Sequence, residues 1–63
     1  MHYQIATLHQ EGKIVRWQQS VRGSIKLADV INTARITAQA CNADGFRVDH
    51  NGKTVAQEYR PYV

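Results

Sequence analysis

Cys41 is the residue best suited to nucleophilic chemistry, because a thiolate activated by an imidazole can attack a carbonyl carbon. His2, His9 and His50 could supply that base or bind a metal. Their placement argues against both roles. Cys41 continues the apolar stripe of a helical segment, where a thiol acts as a small buried hydrophobe. The histidines fall near the terminus and at two turns, without the i, i+3 or i, i+4 spacing that brings metal ligands to one helix face. Ser20 and Ser24 lack the glycine-flanked elbow that exposes a nucleophilic serine. Asp49 and Glu58 could be an acid/base pair, but the pattern places both on a solvated sheet face beside Arg47 and Thr54. The four glycines stand singly at turns, so no phosphate-cradling loop exists. The expectation is a non-enzymatic protein with no cofactor and no metal.

The element that must organise such a chain is the stretch from Ser24 to Cys41. Leu27, Ile31, Ala34, Ala38 and Cys41 step by four, three, four and three, with Val30 and Thr37 at the stripe's margin, which predicts an amphipathic helix. Ser24 is the expected N-cap and Asn42 the expected left-handed stop. Ile25 and Ile36 project to the opposite side in a ridge with Asp29, Asn32 and Ala40, since each residue advances about 100°.

Strands flank this helix. Tyr3–Leu8 and Lys13–Gln18 read as a hairpin around Gln10-Glu11-Gly12, and Gln18–Gly23 as a polar connection. A three-residue loop with Gly12 left-handed would pair Ile5 with Trp17 and Thr7 with Val15, gathering Tyr3, Ile5, Val15 and Trp17 toward the helix. A two-residue turn would instead pair Leu8 with Val15 and Ala6 with Trp17. The first register is preferred because it buries the tryptophan. Phe46–His50 and Lys53–Tyr59 flank Asn51-Gly52, a dipeptide suited to a type I′ turn. Pairing His50 with Lys53 then sets Val48 against Val55 and Phe46 against Gln57, with Phe46, Val48 and Val55 in the core. Arg47, Asp49, Thr54, Ala56 and Glu58 take the other face, which from the first hairpin gains Gln4, Ala6, Leu8, Ile14 and Arg16. Pro61 ends the last strand. The expected fold class is α+β: a single domain over residues 1–63 in ββαββ order, with an antiparallel sheet packed on one helix.

A domain of 63 residues buries only about 60% of the surface its unfolded chain exposes. One cysteine permits no internal disulfide, so a homodimer is a candidate route to further burial. No stretch approaches the ~20 apolar residues a membrane span requires, and the amino terminus lacks a signal-peptide pattern. Together with the lone thiol this points to a cytoplasmic protein without membrane partners. The net charge of +3 favours an acidic partner, although acids and bases are interspersed without a run of like charges.

The alanine-rich helix leading through Asn42 and Gly45 into the Asn51-Gly52 hairpin resembles the small α+β proteins that phages and prophages encode. Some anti-CRISPR proteins of this size share the strand, helix and hairpin layout. The resemblance implies a stoichiometric inhibitor that covers a surface of a host nucleic-acid-handling protein complex. From the residue pattern, Arg16, Arg35, Arg47 and Lys53 are candidate polar contacts, and Ile25, Ile36, Tyr59 and Tyr62 candidate apolar ones. The alternative is direct nucleic-acid binding. Arg16 and Arg47, with Lys13 and Lys53, would then contact phosphates, and Tyr59 and Tyr62 would stack on bases.

Overall fold

The structure, a computed structural model, describes residues 2–61. Its elements are β1 (His2–His9), β2 (Ile14–Arg22), α1 (Leu27–Ala40), β3 (Gly45–His50) and β4 (Lys53–Tyr59), the expected ββαββ order. All four strands form one antiparallel sheet in the spatial order β2-β1-β3-β4. The helix crossover thus delivers β3 to the free side of β1. The helix packs on these two central strands and leaves β2 and β4 as edges.

The helix is shorter than expected, and Ser24 does not cap it. Arg22 to Ile25 form a turn closed by the Ile25 N–H on the Arg22 carbonyl (3.2 Å), which uses Gly23 and Ser24 as its centre. Extended Lys26 becomes the N-cap with no side-chain cap bond, and Asp29 in the first turn meets the positive end of the helix dipole. The far end closes as expected on Asn42 at φ 52°. The Ala43 N–H reaches the Ala38 carbonyl (2.9 Å) and the Asn42 N–H that of Gln39 (3.1 Å). This paired closure brings buried Ala43 onto buried Ala38.

The buried seam of the helix is Val30, Ala34 and Ala38. It is rotated from the expected stripe: Val30 moves from margin to centre, Leu27 is 37% exposed, and Cys41 is exposed at the C-cap. Two alanines let the helix sit close to the sheet, so the large core side chains come from below: Phe46, Ile5 and Val48, all fully buried. Phe46→Ala would cost about 3–5 kcal/mol, the usual penalty for emptying such a site.

Both hairpins depart from the expected registers, the first at its loop and the second through a bulge. In the first, Leu8 pairs with Val15 and Ala6 with Trp17, the pairing set aside on sequence grounds; a bulge at Gln18 then sets Ile5 against Gln19 and Tyr3 against Val21, a register that neither alternative contained. The loop holds Gln10, Glu11 and Gly12 all at positive φ, and the Glu11 N–H is bound by the Asp44 carboxylate (3.2 Å). Trp17 therefore lies on the sheet face away from the helix, 51% exposed. The indole sits opposite Ala6, one of the smallest side chains in β1. Ile14 and Arg16, opposite His9 and Thr7, turn to the helix side.

In the second hairpin the Asn51-Gly52 turn has both residues at positive φ, as expected, and His50 faces Lys53. A bulge then inserts Val55, so that Val48 meets Ala56 and Phe46 meets Glu58. Val55, expected in the core, is 43% exposed, while Ala56 and Glu58 turn toward the helix and Gln57 away from it. The bulge satisfies two partners at once. Thr54 stays opposite Asp49 and donates to its carboxylate (3.0 Å), and Glu58 comes under the helix to pair with Arg35 (3.2 Å).

Candidate functional site

The sheet face away from the helix is a grid of three full cross-strand rows, with the pair Arg22 and His2 beyond the last of them. In the order β2, β1, β3, β4 these are Val15, Leu8, Gly45, Tyr59; Trp17, Ala6, Arg47, Gln57; and Ser20, Gln4, Asp49, Thr54. Leu8 and Ala6 at its centre are buried to 2% and 0% although no helix covers them. The larger side chains of their own rows close over them.

Trp17 and Arg47 meet across Ala6. The guanidinium carbon lies 4.9 Å from the indole centroid, a cation–π contact worth about 0.5–1 kcal/mol at a partly exposed site. Arg47 is fixed from its other side by Asp49, with Nε donating to Oδ1 and Nη2 to Oδ2, both at 3.0 Å. Thr54 Oγ1 adds a third donor to that carboxylate. The Arg47 bonds, helped by Thr54 and opposed by burial, hold the Asp49 carboxyl below the usual carboxylate range. The result is a planar cation locked against an exposed indole by a nearly buried anion.

Tyr59 forms the second aromatic corner. A Cβ on Gly45 would collide with the Glu58 backbone oxygen and with Tyr59 Cδ1, so only glycine admits the ring there. The Tyr59 hydroxyl accepts from Gln57 Nε2 (2.7 Å). A shallow depression of about 500 Å³ beside Trp17 is lined by Gln4, Gln18, Gln19 and Ser20.

Of the expected contact residues, only Arg47 and Tyr59 share this face. Arg16 lies on the opposite side of β2, Arg35 is engaged by Glu58, and Lys53 flanks the distal turn. Ile36 is exposed on the helix (59%), as expected; Ile25 is exposed (40%) but lies in the preceding turn, so the two do not form a helical ridge. Tyr62 lies outside the described residues. Trp17, assigned to the core from sequence, instead stands exposed on the edge strand of this face.

The groups weighed for catalysis are dispersed. Asp49 and Glu58 are on opposite sides of the sheet. His9 Nε2 lies 2.9 Å from the buried Thr7 hydroxyl, which also accepts from Gln18, and the His50 ring rests 4.3 Å from that of Tyr3. Among the described residues no cluster of three metal-ligating side chains occurs, and no helix is long and apolar enough to cross a membrane. Arg60 pairs with Asp44, and that contact with the Glu11 N–H lowers the Asp44 pKa. The pair ties the end of β4 to the first hairpin loop. Comparison with protein-family models, curated proteins and solved structures finds no match.

Proposed function

We propose that this chain is a non-enzymatic binding protein that docks on a protein partner through the helix-free face of its sheet. The observation that carries this reading is the exposed Trp17 locked against Arg47. Tryptophan, tyrosine and arginine are the side chains that most often anchor protein interfaces, because each presents a large rigid surface with a polar tip. Here all three stand on one face over a prepacked floor of Ala6 and Leu8, so little ordering entropy remains to be lost on binding.

Charge favours a protein over a nucleic acid on this face. Arg47 is neutralised by Asp49, which leaves Arg22, opposite His2 at the end of the face, as its unpaired cation, whereas binding to phosphates draws most of its free energy from several unneutralised lysines and arginines that release counterions. The inhibitor of a host nucleic-acid-handling complex implied by the phage-protein layout is the form of this activity we favour.

Capture from bacterial lysate, with and without nuclease treatment, by the immobilised wild-type protein, beside a Trp17→Ser, Tyr59→Ser variant, tests the reading. The expected result is a polypeptide retained by wild type and lost from the variant. Equal retention by both, or retention that nuclease abolishes, would overturn it.

A further inference from the structure

The edge of β2 carries an inference beyond the open face, since it concerns a different surface and names the chemistry of what binds there. Eight of the nine residues of β2 are exposed, and the strand is hydrogen-bonded on one side only, to β1. A long edge strand presents a row of backbone donors and acceptors that another strand can complete.

Its charge is one-sided. Lys13, Arg16, Arg22 and Lys26 fall within 14 residues that contain no acid, half of the chain's eight lysines and arginines. None of the four takes part in the ion pairs of the described residues, which engage Arg35, Arg47 and Arg60. The other edge differs: β4 is shorter, and its Glu58 is tied to the helix. The two arginines within β2, with Lys13 before it and Lys26 after it, also disfavour a second copy of this chain, because antiparallel self-pairing would bring two such cationic strands together.

We propose that β2 accepts an extended acidic segment of another polypeptide as a fifth strand, its backbone completing the sheet and its carboxylates meeting Lys13, Arg16, Arg22 and Lys26. The main-chain ladder supplies register and the cations supply selectivity and speed of encounter.

The test uses the full chain, isotopically labelled, with a nine-residue blocked peptide of glutamate pairs separated by threonine pairs as probe, so that carboxylates stand on both faces of the added strand, at low and high salt. Binding at low salt is expected to protect β2 amides from exchange, to weaken with salt, and to fall on the order of tenfold in Arg16→Glu, Arg22→Glu. Both positions are exposed, so that variant keeps its fold. It is expected to gain affinity for the matching lysine–threonine peptide. Methylating alternate backbone nitrogens of the acidic peptide is expected to abolish binding. No binding at low salt, equal binding of the methylated peptide, or tighter protection of the same amides by an oligothymidylate of matched charge would each overturn the proposal. Loss of the Trp17 and Tyr59 side chains bears on the open face alone, so the two readings fail separately.

Discussion

Asp49 grips Arg47 two residues away on the same strand, both guanidinium bonds measuring 3.0 Å, and so aims the cation at Trp17 two strands distant. The carboxylate is 9% exposed and the guanidinium 28%, which makes the pair a partly desolvated bidentate contact rather than a surface ion pair of negligible worth.

Asp49→Asn should therefore destabilise the fold by about 1–3 kcal/mol, the range for a charged hydrogen-bonding partner lost from a buried site. The folded-state pKa of Asp49 lies below its unfolded value. Its contribution is thus fully present above the unfolded pKa and is lost as pH falls through the folded one. Urea denaturation between about pH 2 and pH 7 should show a shallower acid limb in the variant than in wild type. Parallel limbs would mean that the pair contributes nothing linked to protonation.

The bulge at Val55 inverts the faces of the second half of β4. Val55→Thr should change stability by no more than about 0.5 kcal/mol, as for an ordinary surface position. Ala56→Asp should cost about 1–3 kcal/mol by placing an unpaired charge against the helix. Without the bulge the order of the two effects would reverse, and denaturant midpoints measure it directly.

Gly45 lets β4 and the Tyr59 ring close over β3. Gly45→Ala should lose about 1–3 kcal/mol, since the methyl meets backbone as well as side chain and neither neighbour can yield cheaply. Tyr59→Ala in the same background would relieve the ring contact but not the Glu58 carbonyl contact, so only partial rescue is expected. Full rescue would place the whole clash in the ring.

Cys41, at the exposed C-cap, should react with a thiol reagent in the native state at nearly the rate measured in denaturant. Cys41→Ser should leave stability within about 0.5 kcal/mol of wild type. A thiol protected until global unfolding would contradict its exposure.

The order ββαββ is written locally. The alanine-rich periodicity from Leu27 onward, the left-handed stop at Asn42 and the Asn51-Gly52 turn each depend on residues a few positions apart, and each appears where the letters place it. Exposure of the cationic edge was also latent there, as the acid-free span from Lys13 to Lys26, a signal blurred when charge is read over the whole chain.

What tertiary structure alone decided was which side of each strand faces the helix. A strand's faces alternate with period 2, so one inserted residue exchanges them. The insertions at Gln18 and Val55 are fixed by distant partners: Ala6 beneath Trp17, Asp49 beside Thr54, and Arg35 reaching Glu58 across 23 positions. No local propensity encodes those meetings. The register of the first hairpin, which sets Trp17 against Ala6 before either insertion, carried the tryptophan out of the core and made the face on which the proposed docking depends.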